Sequence, residues 1–138
     1  MNSTSSCTDL TGNYSNYSEP EESGYRHQLT SLLNLKHTTA STIQIQVLEK
    51  SINLTSNNNK LGQFNLVSDN SYCENGEWVL ELAKIQNTGG AIGKEWDKFY
   101  FSVTSQGLVV KKEHGVFGAL FFIPIAGTET TWLLFKET

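Results

Sequence analysis

The sequence predicts an all-β protein: an antiparallel meander of about eight strands closing into a barrel, with one short N-terminal helix covering part of its outside. Three observations predict this. Beyond residue 40 the apolar residues recur with period two, Gly- and Asn-containing turns separate the runs, and no intervening stretch can form the crossover helix that parallel strands require.

Residues 1–20 are rich in Ser, Asn and Glu and read as a polar tether, leaving 21–138 as a single domain. From Glu21 to Leu35 the apolar positions Tyr25, Leu29, Leu32 and Leu33 follow the spacing of a one-sided helix, with Ser18 or Ser23 as N-cap. Gln28–Leu35 also tolerates a strand reading. Ile43, Ile45 and Val47 open the alternation, Ile52 and Leu54 continue it, and Phe64 and Leu66 follow the polar loop Ser56–Lys60. Asn75-Gly76 suits a type I′ hairpin, because both residues tolerate positive φ. Trp78, Leu80 and Leu82 make the next inward set, and the Gly-rich loop Asn87–Gly93 ends that strand. Phe99, Phe101 and Val103 then face Leu108 and Val110 across Ser105-Gln106-Gly107. A strand from Gly115 to Ile123 and a last one over Thr131–Lys136 complete the meander.

Val116–Ile123 and Trp132–Phe135 break the alternation, being apolar on both faces, so something must cover the outside of the sheet there. The helix is the nearest cover. Leaving Leu120, Phe122, Leu133 and Phe135 in water would forgo about 1.5 to 3 kcal/mol per side chain. A second copy of the chain, giving a homodimer, is one alternative, and a membrane-facing or ligand-binding patch is the other.

A chain of 138 residues with a formal charge of -4 suits one domain large enough to bury a core. Its ten Lys and Arg, Arg26 the single arginine, form no basic patch to replace phosphate counterions, which argues against nucleic acid as a partner. No apolar stretch reaches the roughly 20 residues of a membrane-spanning helix, so membrane contact would come through a lipid anchor alone.

The run Cys7-Thr8-Asp9-Leu10-Thr11-Gly12-Asn13-Tyr14 resembles the mature start of small bacterial cell-envelope lipoproteins, in which a lipid-carrying Cys precedes a polar tether and a Gly-x-aromatic entry into a barrel. Gly12-x-Tyr14 ahead of eight strands is likewise similar to the Gly-x-Trp of lipocalins. These resemblances imply a lipocalin-like barrel, lipidation at Cys7, and a place in the bacterial cell envelope or periplasm. Cys7 and Cys73 leave three alternatives from the residues themselves: a disulfide in an oxidising compartment, an acylated Cys7 with free Cys73, or two thiols. Triplets at Asn2, Asn13, Asn16 and Asn53 also fit glycosylation acceptors in a secreted protein.

Chemistry-bearing constellations are thin, and the reading is non-enzymatic. His27, His37 and His114 lack the close spacing of a local metal site, so neither a metal nor a cofactor is expected. Glu113-His114-Gly115 reads as a solvated turn. Glu74, Glu77, Glu81, Glu95 and Asp97 lie near strand ends, where two could meet across a barrel mouth as acid and base. Gly89-Gly90-Ala91-Ile92-Gly93-Lys94 has too short a spacing for a phosphate loop. The aromatic supply instead favours a binding protein. Trp78, Leu80, Phe99, Phe101 and Trp132 would line a pocket for a small apolar ligand. The alternative is a protein-interaction or structural lipoprotein, such as an inhibitor of a wall-degrading enzyme, with another envelope protein as partner.

Overall fold

A computed structural model describes residues 7–35, 40–88, 91–120 and 123–138. Ten strands are named among them: β1 (Gly12–Ser15), β2 (Thr42–Val47), β3 (Ser51–Ser56), β4 (Asn59–Asn65), β5 (Val67–Ser68), β6 (Ser71–Glu74), β7 (Glu77–Thr88), β8 (Ala91–Thr104), β9 (Gly107–Leu120) and β10 (Ile123–Lys136). All ladders are antiparallel. They form a four-stranded sheet, β1-β2-β3-β4, and a six-stranded sheet, β10-β9-β8-β7-β6-β5.

The all-β antiparallel meander is therefore present, and among the described residues its strands form two sheets with no continuous ladder joining them. Strand length is the reason. β8, β9 and β10 have 14 residues each, whereas β1 has four, so β1 can meet only the C-terminal end of β10. There the sheets touch through the bridge between Tyr14 and Glu137, and through Thr138 N–H donating to the Asn13 carbonyl at 3.0 Å. At the other seam the chain passes from β4 through Leu66 into β5, and Leu66 N–H donates to the Lys50 carbonyl at 2.9 Å.

The turns follow local chemistry. Asn75 and Gly76 both have positive φ, as the hairpin reading requires, and Asn57-Asn58 turns β3 into β4 in the same conformation. Thr104 pairs with Gly107 across the Ser105-Gln106 turn. Gly107 has φ +139, and a Cβ there would lie 2.5 Å from the Phe135 carbonyl oxygen, so only glycine fits. The expected loop Asn87–Gly93 is largely strand, with β7 running to Thr88 and β8 starting at Ala91; Gly89 and Gly90 lie outside the described residues.

The helix is shorter than its periodicity suggests. Only α1 (Leu29–Leu32) is helical. Upstream, Tyr17 and Gln28 form a β-bridge, Ser18 N–H donates to the His27 carbonyl, and the Ser18 hydroxyl accepts from His27 N–H, both at 2.8 Å. The serine expected to cap a helix instead stabilises a turn-and-return whose reversal passes Gly24 at φ +87. Leu29 and Leu33 are buried and Leu32 is half-buried, yet α1 does not cover the outside. Leu29 and Leu33 enter the one core cluster shared by both sheets, and Leu35 fills the space a side chain at Gly62 of β4 would occupy.

That core takes Ile43, Ile45, Ile52 and Leu54 from the small sheet and Trp78, Leu80, Phe99, Phe101, Leu108, Val110, Leu133 and Phe135 from the large one. Trp78 stacks on Phe101 at 4.4 Å between centroids and tilts against Phe64 at 5.1 Å. Its indole N–H donates to the Ser71 hydroxyl at 3.0 Å, so the buried polar atom is satisfied. Of the residues expected to need cover, Leu133 and Phe135 face this core; the side chains of Leu120 and Phe122 lie outside those described.

Residues 7–20, expected as a tether, are built into the domain from Cys7 onward. Cys7, Leu10 and Tyr14 are buried in the core, and the Tyr14 hydroxyl donates to the Leu10 carbonyl at 2.9 Å. Cys7 forms a disulfide with Cys73 of β6, Cα–Cα 5.7 Å, across 66 positions of sequence. Its sulfur cannot carry a thioether-linked lipid while bonded to Cys73.

Reducing this bridge frees a loop long enough that stability should fall by about 4 kcal/mol, read as a lower urea midpoint with reductant than without. An unmoved midpoint would show that the bridge does not constrain the unfolded chain. Tyr14 gives a second expectation. Burial, reinforced by Glu137, raises its phenol above the usual 10.0, so the fold favours the neutral form. The stability this contributes is intact below pH 10.0 and is lost as pH rises through the raised value. In an alkaline absorbance titration, one of the five tyrosines should ionise only as the protein unfolds.

Candidate functional site

Cross-strand register determines what the large sheet presents on each face, because residues two apart on a strand share a face. On the inner face the first row reads Trp78, Phe101, Val110, Leu133 across β7 to β10. The next reads Leu80, Phe99, Lys112, Thr131, and the one after it Leu82, Asp97, His114, Glu129. Apolar character therefore fades within three rows. The core ends where Phe99 meets Lys112, and a charged floor begins on the same face.

Opposite this floor runs the segment Tyr25–Asn34. Between them lies an open groove of about 720 Å³, with Leu32, Leu82 and Phe99 as its apolar part and Glu95, Asp97 and Lys112 as its charged part. His114 Nδ1 lies 2.6 Å from Asp97 Oδ1, and its Nε2 lies 3.5 Å from Glu95 Oε1. The imidazole is thereby held between two carboxylates. From the far wall, His27 Nε2 sits 3.0 Å from Glu21 Oε2 and packs edge-on against Tyr25 at 4.7 Å. Arg26 Nε donates to the Ser18 carbonyl at 2.8 Å, which fixes a guanidinium at the rim.

Of the residues expected to line an apolar pocket, Trp78, Leu80, Phe99 and Phe101 are all at most 2% exposed and pack against one another in the core. Phe99 alone of these also touches the groove. Trp132 points the other way, lying on the outer face with 64% of its surface exposed. The structure does not bring the five together.

The carboxylates sort clearly. Glu95 and Asp97 meet at His114, whereas Glu74 and Glu77 pair across the β6–β7 turn and Glu81 lies opposite Lys98. His114 is not in a turn. It sits in mid-β9, in phase with Leu108, Val110 and Lys112, and that continuing period of two was the signal that could have placed it facing Asp97. His37 lies outside the described residues.

Both nitrogens of His114 face carboxylates, so the cluster gathers two acidic side chains around one imidazole. Among the described residues no group of three His, Cys, Asp or Glu side chains has metal-binding geometry, and no helix is long and apolar enough to cross a membrane. The chain matches no protein-family model, no curated protein and no solved structure.

Two substitutions separate core from groove. Phe101→Ala should cost about 3 to 5 kcal/mol, because a stacked, fully buried ring is lost. Asp97→Asn should change stability by no more than about 1 kcal/mol, as expected for a half-exposed pair. Urea unfolding of both variants checks this; a small cost at Phe101 would mean that the interior is not filled.

Proposed function

We propose that this chain is a non-enzymatic binding module of the bacterial cell envelope or another oxidising extracytoplasmic space. Its site is the groove beneath Tyr25–Asn34, and its ligand is a small amphipathic molecule with a cationic end. One observation carries this reading: the groove continues past the end of the core along the inner face, and its floor changes from Phe99 to Asp97 and Glu95. An alkyl or aromatic portion would rest on Leu32, Leu82 and Phe99, and an ammonium group would be received by the two carboxylates. The aromatic side chains pack against one another in the core and the groove carries carboxylates, which is why the proposed ligand differs from the one the aromatic supply suggests.

The two sheets are best understood as a lipocalin-like barrel left partly open, with seams at Tyr14–Glu137 and at Leu66. The Cys7–Cys73 bridge supports an oxidising compartment. A lipid on Cys7 would belong to a form without that bridge, and the intact mass of protein purified from an envelope distinguishes the two. The filled interior also favours a second reading, an interaction module such as an inhibitor of a wall-degrading enzyme.

The test is calorimetric titration with decyltrimethylammonium below its micelle concentration, with dodecanoate as the anionic control. The cation should bind saturably and the anion should not, and Asp97→Asn should weaken the cation by about tenfold or more. Preference for dodecanoate, or binding of neither probe, would end the small-ligand reading and leave the interaction module.

A further inference from the structure

The register that builds the groove also lays out the opposite face of the same strands. On this outer face Tyr100, Lys111 and Trp132 form one row across β8, β9 and β10; Lys98, Glu113 and Thr130 form the next, and Trp96, Gly115 and Thr128 the third. Aromatic rings thus alternate with hydrogen-bonding side chains along and across the sheet.

The rings are held in place. Lys111 Nζ lies 4.9 Å from the Tyr100 centroid and 5.6 Å from that of Trp132, so a single ammonium fixes both flanking rings. The Tyr100 hydroxyl donates to Glu113 Oε1 at 3.1 Å, and Lys111 Nζ lies 3.6 Å from Glu113 Oε2. A third ring, Trp96, occupies the space a Cβ on Gly115 would need, so the indole is held down against the sheet. Trp132 remains 64% exposed despite these contacts.

We infer that this outer face is a second binding site, one for a neutral oligosaccharide whose pyranose rings stack on Trp132 and Trp96 while their hydroxyls bond Lys98, Glu113 and the threonines. A sugar ring has a C–H face that packs on an indole and a rim of hydroxyls that needs donors and acceptors of both kinds; the alternation of rings with Lys, Glu and Thr supplies both. Trp96 and Trp132 stand four residues apart along the strands and two strands apart across the sheet, roughly 16 Å, a distance that a short oligosaccharide spans.

The same mosaic disfavours other occupants. An anionic lipid surface or single-stranded nucleic acid is drawn by a field of one sign, but here Lys98 stands directly opposite Glu113 and Lys111 is paired with it. A protein hot spot gathers its apolar groups at the centre of a contact, whereas these rings are separated by charges.

The test uses the full-length, oxidised protein, with cellohexaose and chitohexaose as probes, followed by calorimetry and Trp fluorescence. At least one probe should bind saturably, Trp132→Ala should weaken it by about tenfold, and Trp132→Phe should restore most of the loss. Asp97→Asn, on the opposite face, should leave it unchanged, which separates this site from the groove. No saturable binding of either probe at millimolar concentration would overturn the proposal. Binding that survives Trp132→Ala, or stronger binding to phosphatidylglycerol vesicles or oligo(dT), would overturn it equally.

Discussion

Trp78 lies where the two sheets depend on each other. Its ring stacks on Phe101 within the large sheet, tilts against Phe64 of the small one, and anchors its N–H on Ser71 at the start of β6. A ring of this size, buried completely, contributes several kcal/mol of apolar burial. Because its one polar atom is satisfied, none of that is offset by a stranded donor. Strands β4, β6 and β8 are held by one side chain of β7, and that contact lets two sheets without a continuous ladder share a single core.

From Trp78 outward the register of β7 to β10 is fixed at successive turns, by Asn75-Gly76 ahead of β7 and by Ser105-Gln106 between β8 and β9. A slip of one residue would turn Phe99 and Phe101 to water and bring Lys98 and Tyr100 into the core, at a cost of many kcal/mol. The inner groove and the outer aromatic face are therefore one decision. Once Phe101 is inside, Asp97 and Glu95 must share its face, and Trp96, Lys98 and Tyr100 must lie opposite.

Much of this was legible in the sequence. The period of two from Ile43 to Val110 places most of the core residues, although Val103 in the same alternation is exposed, and Asn75-Gly76 marks its turn. The helix misleads because Tyr25, Leu29, Leu32 and Leu33 satisfy helical spacing, while the Tyr17–Gln28 bridge and Gly24, which set the real conformation, are non-local or a matter of backbone angle. Barrel closure is not legible for another reason: strand count says nothing about strand length, and the four-residue β1 cannot follow a 14-residue β10 along its course. The groove was half visible. Carboxylates near strand ends drew attention, but their meeting at His114 depends on β9 running unbroken through Glu113-His114-Gly115, a stretch whose Gly suggests a turn. Here Gly115 serves instead to make room for the Trp96 ring.

The N-terminal segment bears on both compartment and fold. A polar tether would leave Cys7 in water, free for any modification, but Leu10 and Tyr14 are buried and the Tyr14 hydroxyl folds back onto the Leu10 carbonyl. That arrangement directs Cys7 inward, where it is almost fully buried beside β6. The burial of Leu10 and Tyr14 does not require the disulfide, since it rests on apolar contact and one hydrogen bond. Cys7 is thus placed near Cys73 by packing, and oxidation then locks an arrangement that the core already favours. Lipidation at Cys7 would have to bring an almost fully buried residue to the surface, at the expense of the core packing it shares with Leu10 and Tyr14. A lipid on Cys7 and the buried N-terminal segment compete for the same residues.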